Sequence, residues 1–245
     1  MTRVSRRIGL LGVVVLFGLP VLAQSPAEAP LTNLQVFPET TTRAQLIRTM
    51  NAFNESLGVQ CSYCHVTDGP GGRPDFASDE KPTKDIARRM VGFRDNINEE
   101  LPAILGKTDG TRVLCSTCHR GVPIPRQIYQ IVFDATANGG GPAAGLARFR
   151  ELRSEFYGGQ SYDFSEGALI EMARRSAAER ADDAMAYLQG NLEYYPESAR
   201  TYRALAQAKN AMGDKAGAIR DLERAAQLDP DNAHISAELQ QLKGA

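Results

Sequence analysis

The chain holds no tryptophan, only three histidines and four cysteines among its 245 residues, and aromatics make up 7%. An excess of positive charge is also missing. Formal net charge is −1, and loss of the first 23 residues would remove Arg3, Arg6 and Arg7 and bring it to −4. A mildly acidic chain has no basic surface with which to neutralise phosphates, so nucleic acid is not expected as a partner. Long hydrophobic runs are scarce too. The apolar stretch Ile8 to Val21 is short and broken by Gly9, Gly12, Gly18 and Pro20, and no later segment is apolar enough to span a bilayer.

The N-terminus itself has the order of a signal peptide: basic residues, the apolar run, then Val21-Leu22-Ala23 before Gln24. Residues 1–23 are expected to direct export and to be removed, the alternative being an uncleaved anchor. No cysteine lies near Ala23, so lipid attachment is not available there. The protein is expected to be periplasmic or otherwise extracytoplasmic, peripheral to a membrane at most.

Punctuation divides the remainder. Residues 24–40 are rich in Pro and Thr and should be extended. Residues 41–135 alternate helical stretches with loops and carry all four cysteines. Asn138-Gly139-Gly140-Gly141-Pro142 and Tyr157-Gly158-Gly159 mark 136–164 as a linker. From 165 to 245 the pattern is helical. Ala184, Leu188 and Pro196 recur 34 residues later as Ala218, Leu222 and Pro230. Tyr202, Leu205 and Ala206 line one helix, Gly213-Asp214 turn the chain, and Ala218, Leu222 and Ala225 line the next. This period resembles the tetratricopeptide repeat, the first unit matching in its second helix only, and such helical hairpins imply a surface for docking a protein. The fold class is mainly α: helices and loops around cofactors, then hairpin repeats.

Chemistry is concentrated in Cys61-Ser62-Tyr63-Cys64-His65 and Cys115-Ser116-Thr117-Cys118-His119. Each is C-x-x-C-H, the attachment signature of c-type haem. Thiols three positions apart bond the two vinyl groups on one haem edge, and the adjoining His binds iron as proximal ligand. Four thiolates around zinc, or disulfides, would use the same cysteines. Neither needs a His after each pair, an arrangement that chance would give about once in several thousand chains of this composition. Two covalently bound haem c groups are therefore expected, at Cys61, Cys64 and His65, and at Cys115, Cys118 and His119. Residues 31–135 are poor in large apolar side chains, and the macrocycles would supply the missing core.

The one remaining histidine, His234, lies in the last helix and reads as a surface or packing residue, so bis-His ligation is excluded. Distal ligands are then methionine, lysine, water or nothing. Met50 sits on a helix capped by Thr41 or Thr42, striped by Leu46, Met50, Phe53 and Leu57, and ended by Gly58. Met90 sits on a second helix starting near Thr83, striped by Ile86, Met90, Phe93 and Ile97. Both are expected as axial ligands, with ordinary core packing as the alternative. Met172, Met185 and Met212 read as core of the repeats.

The pattern Leu46-Ile47-Arg48-Thr49-Met50, then Leu57-Gly58-Val59-Gln60-Cys61-Ser62-Tyr63-Cys64-His65, resembles the cytochrome c subunit of photosynthetic reaction centres, as does Cys118-His119-Arg120-Gly121. The resemblance covers about residues 31–130. It implies a Met-bearing helix lying along each haem, electron donation, and a membrane reaction centre or respiratory complex among the redox partners. This chain has two motifs where that family's subunits carry four, and adds the C-terminal repeats.

The expected role is electron carriage rather than catalysis. His/Met ligation leaves no open iron, and no proton-transfer constellation is visible. Asp68, Asp75, Asp79 and Glu80 read as a solvated loop, and Arg88, Arg89, Arg112 and Arg120 as candidates to pair with haem propionates. The alternative is a dihaem peroxidase-like enzyme or haem sensor with one open iron. If the macrocycles supply the core, the haem-free chain should fold poorly. Far-UV circular dichroism tests this, and a near-native spectrum without haem would count against it.

Overall fold

A computed structural model describes residues 30–107, 109–178 and 180–244, so the expected signal peptide lies outside the described residues. The fold is mainly α, with ten α-helices among the described residues and one small hairpin.

The first helix follows its sequence signals closely. α1 spans Arg43–Leu57. Thr42 caps it, with Thr42 Oγ1 accepting from Gln45 N at 3.3 Å and Gln45 Oε1 accepting from Thr42 N at 2.8 Å, so two otherwise orphaned donors are satisfied reciprocally. Gly58 ends it with a left-handed φ of 64°. α2, Pro82–Leu105, starts with Pro at its first position, where the missing N–H costs nothing, and closes on Gly106. α3 is the short helix Cys115–His119.

Between α1 and α2 lies a hairpin that sequence reading did not anticipate. Strands β1 (Val66–Gly69) and β2 (Arg73–Asp75) pair antiparallel, Val66 opposite Asp75. The intervening Gly71 and Gly72 both have positive φ, 75° and 70°, which lets the chain reverse in so few residues.

Seven helices follow: α4 (Ile128–Gly139), α5 (Pro142–Phe156), α6 (Glu166–Ser176), α7 (Ala181–Leu192), α8 (Ala199–Ala211), α9 (Lys215–Leu228) and α10 (Ala233–Gly244). Two expectations need correcting here. The stretch 136–164 is not a linker: α5 lies inside it and buries Leu146, Phe149 and Leu152. The glycines that suggested a flexible break serve as the left-handed cap of α4 at Gly140 and the entry to α5 at Gly141. Nor does the cysteine-bearing region extend to 135, because α4 buries Ile128, Val132 and Thr136 within the following helical body.

That body has its own core. Ile128, Val132, Phe149, Leu152, Phe164, Leu169, Met172, Tyr187, Leu188 and Leu205 form one buried cluster; Ala206, Ala218, Leu222, Ala225 and Ile235 form a second. The residues that recur every 34 positions behave alike, Ala184, Leu188, Ala218 and Leu222 all being buried. Consecutive helices α6 to α10 each pack on the next. The helix crossings are close. An added Cβ on Gly190 would lie 2.6 Å from Leu146 Cδ2, and one on Gly145 would lie 2.2 Å from Thr136 Oγ1, whose hydroxyl meets that of Tyr187 at 2.6 Å. Asn191 satisfies its buried amide through Glu166 O at 3.0 Å and Thr201 Oγ1 at 2.8 Å. Met212, read as core, is half exposed because it ends α8 at the Gly213 turn.

The contrast with the first half is sharp. Among described residues before Val122, only Lys84 and Val91 are buried. The shortage of protein core is thus confined to about residues 30–127, and the expectation of a poorly folded haem-free chain narrows accordingly. Limited proteolysis of the haem-free chain should cut within 41–120 while a fragment covering 128–244 survives, as mass spectrometry would show. Uniform digestion would contradict separate cores.

Candidate functional site

The first motif opens a one-turn 3-10 helix, Cys61–Tyr63, directly after the Gly58 turn. Four-residue spacing then places His65 at the mouth of the β-hairpin, which returns Phe76 to its side. His65 Nδ1 lies 3.1 Å from Phe76 O. A carbonyl only accepts, so Nδ1 carries the proton and Nε2 is left with a free lone pair, the form that ligates a metal. The Phe76 ring meets the imidazole edge-on at 5.3 Å between centroids. Burial lowers the His65 pKa, and the Lys84 charge lowers it further, so the neutral imidazole is favoured. Burial also raises the Cys64 thiol pKa, opposed in part by a hydrogen bond with Thr83 and by the Lys81 charge.

Around this motif is a cavity of about 480 Å³, within the range of small-molecule and cofactor sites. Met50 lines it together with Cys61, Cys64 and His65, as do Leu46, Phe53 and Leu57 from α1. A haem fits this donor set: two thiols, one correctly protonated imidazole, a thioether lining the same cavity and apolar walls. Sequence reasoning missed the other walls. The segment 30–37 forms one, bringing Leu34, Val36 and Phe37 to the cavity, and Val91 of α2 forms another. The apolar residues within a Pro- and Thr-rich stretch were the available signal.

A polar latch holds segment 30–37 in place. Asn33 Nδ2 donates to Ala77 O at 2.6 Å and to Asp79 Oδ1 at 2.8 Å, and Gln35 Nε2 donates to Asp79 Oδ2 at 3.2 Å. Asp79 also pairs with Lys84 at 3.0 Å and Arg88 at 2.9 Å, and these donors hold its carboxyl well below the usual range. Lys84, 8% exposed, spends its ammonium on the carbonyls of Phe76, Ala77 and Ser78 at 2.8–2.9 Å. One reading changes as a result: Asp79 is a structural hub rather than a merely solvated loop residue. Arg88 gives one nitrogen to Asp79 and the Asn33 carbonyl while it lines the cavity.

The second motif lies on α3, and its imidazole has the same arrangement by a different route. His119 Nδ1 donates to Val122 O at 3.0 Å, across a turn in which Arg120 (φ 48°) and Gly121 (φ 86°) are both left-handed. Nε2 is again free. Asn98 of α2 fixes the approach to the motif, exchanging hydrogen bonds with Val113 at 2.9 and 2.7 Å much as a neighbouring strand would. Met90 does not sit in protein core: it is 44% exposed, and Ile86 and Phe93 on the same stripe are more than half exposed. α2 therefore presents Lys84, Ala87, Arg88 and Val91 to the first cavity and an uncovered apolar stripe on its other side. Free cysteines, a protonated Nδ1 and an uncovered apolar face also suit a haem.

The two motifs meet through backbone. Gly121 N donates to Ser56 O at 2.9 Å, and a Cβ on Gly58 would stand 2.1 Å from Gly121 O. α1 and α3 pack together around this contact.

A family model described as the photosynthetic reaction centre cytochrome C subunit matches residues 21–163. The chain belongs to that family. Membership makes covalently bound haem c its cofactor, consistent with both donor sets. Among curated relatives, the photosynthetic reaction center cytochrome c subunit of Rubrivivax gelatinosus is 32% identical over 134 residues, 47% of this chain and 36% of that protein. The subunit of the same name from Roseobacter denitrificans is 33% identical over 99 residues, 40% of this chain and 26% of its own length. Cytochrome c-554 of Chloroflexus aurantiacus is 40% identical over 68 residues, 28% of this chain and 15% of its own. The chain thus spans between about one seventh and one third of these relatives. The family match stops before α6.

Two glycines with nearly the same backbone test the inter-motif contact. Gly58 has φ +64° against the Gly121 carbonyl, whereas Gly106 has φ +63° with nothing within 4 Å. Gly106→Ala should cost about 1–2 kcal/mol, the ordinary left-handed penalty. Gly58→Ala should cost clearly more. Thermal unfolding of the haem-loaded protein would compare them, and equal losses would deny the contact its role.

Proposed function

We propose that the protein is a dihaem electron carrier in which Cys61 and Cys64 bind one haem and Cys115 and Cys118 the other. His65 and His119 are the proximal ligands, and Met50 and Met90 the distal ones. Bound haem iron supplies one-electron redox chemistry, and the chain's own residues determine who may approach it. The observation that carries this reading is the convergence of Met50, Cys61, Cys64 and His65 on one apolar cavity, with the His65 Nδ1 proton already committed to Phe76 O. With haem bound, Met50 and His65, which line the same cavity, would hold the iron between them, letting electrons pass while refusing small molecules. The thioether also favours the reduced state relative to a second imidazole.

The haem-binding unit in this reading runs from about 30 to 127. The helical body from 128 onward, with its tetratricopeptide-like hairpins, docks a protein partner. The names of the relatives favour a membrane reaction centre as that partner, with a respiratory complex serving the same chemistry. Export by residues 1–23 to an extracytoplasmic space accords with covalent haem attachment, and no described helix is long and apolar enough to cross a membrane.

One observation favours a second reading. Met90 stands on an exposed stripe rather than in an enclosed cavity, and a weakly held Met90 would leave one iron open, as a dihaem peroxidase-like enzyme or a haem sensor requires.

A pyridine haemochrome assay on the matured protein should count two haems per chain, and carbon monoxide should leave the ferrous spectrum unchanged. Met50→Ala and Met90→Ala should each open half of the haem to carbon monoxide. Binding to half the haem in the unaltered protein would overturn the carrier reading in favour of the second.

A further inference from the structure

Ser161 lies in the segment between α5 and α6 and is 7% exposed. Its Oγ donates to the carbonyl of Arg120 at 2.7 Å, across 41 residues of chain, and stands 3.4 Å from where a Gly121 Cβ would be. Resting on the dihaem reading above, we infer that Ser161 is a positioning residue for His119, through which the helical body tunes the potential of the second haem.

The acceptor of the His119 Nδ1 proton is Val122 O, and it is held there only if the turn His119–Val122 keeps its shape. That turn is intrinsically unfavourable, because Arg120 is a non-glycine residue in the left-handed region. It is fastened from two sides. On one, Gly121 N donates to Ser56 O at the end of α1; on the other, Ser161 holds the Arg120 carbonyl. Ser161 is itself on a firm base. Three residues on, Phe164 is buried in the main core of the body, and its carbonyl accepts from Arg153 Nη1 at 3.1 Å and from Tyr195 OH at 2.8 Å.

Nδ1–H donation to a carbonyl makes an imidazole a stronger electron donor through Nε2, which favours the ferric state and lowers the potential. Loosening the turn weakens that donation. His65 is braced instead by Phe76, whose carbonyl also accepts from Lys84, and Ser161 touches neither. The effect should therefore fall on one haem.

The test uses the full-length, haem-loaded protein. A haem count comes first: a value other than two defeats the dihaem reading before any Ser161 variant is made. Spectroelectrochemical titration of Ser161→Ala should then show one potential raised and the other unmoved, with near-native far-UV dichroism. Tyr195→Phe, which removes one of the bonds anchoring Phe164, should move the same potential in the same direction by less. Amide exchange at Gly121 should quicken several-fold in Ser161→Ala. Two haems with both potentials unmoved, or both shifted together, would overturn this inference while leaving the dihaem reading standing.

Discussion

The first half of this chain depends on a contact between two glycines. Gly58 ends α1 in a left-handed turn, and the carbonyl of Gly121 occupies the space a side chain would fill. The Gly121 amide in turn satisfies Ser56 O, one of the carbonyls that a helix end leaves without an internal partner. Because Cys61 follows three residues after Gly58, and His119 precedes Gly121 by two, the contact fixes both attachment motifs relative to one another. It does so in a region where hardly any side chain is buried, so hydrophobic packing alone would leave the motifs free to drift. The remaining restraints there are polar: the Asp79–Lys84–Arg88 latch with Asn33 and Gln35, and the Asn98–Val113 pair.

How legible the sequence was depended on whether a feature was local. α1 could be read closely, since a Thr41 or Thr42 cap, the Leu46–Met50–Phe53–Leu57 stripe and Gly58 all act within one helix, while the reciprocal bond from Gln45 went unread. The 34-residue recurrence was local as well, and Ala184 and Ala218, like Leu188 and Leu222, are buried alike. The C-x-x-C-H motifs carried their chemistry in five residues each. What failed were features fixed by distant partners. The glycines at 139–141 suggested a break, but Gly140 and Gly141 cap one helix and start the next because α4 and α5 both pack into the body. Asp79 looked like solvated loop until Lys84 and Arg88, one and two turns into α2, closed on it. Ser161 carried no signal at all, since its acceptor is the carbonyl of a residue 41 positions away.

The two sites also differ in how much the protein builds around them. The first is enclosed by four separate stretches of chain, the segment 30–37, α1, the hairpin return at 75–77 and α2. The second motif lies on α3 and is braced through Asn98 of α2, a helix whose Met90 stripe is exposed. Burial of a haem in low dielectric and screening by solvent act on its potential in opposite senses, so two chemically alike donor sets come to differ through their surroundings. α2 connects them, one face against the first cavity and another presenting Met90.

The separate core of the helical body has a consequence for biogenesis. Residues 128–244 have buried apolar clusters of their own, and their contacts run mainly between helices adjacent in the chain, a topology that folds rapidly. The stretch bearing the four cysteines has little to collapse onto until the macrocycles arrive. A C-terminal body with its own core can thus form while the thiols of the first half are still uncovered. Covalent haem attachment would then be the last folding step, closing a head that has little core of its own onto a tail that already has one.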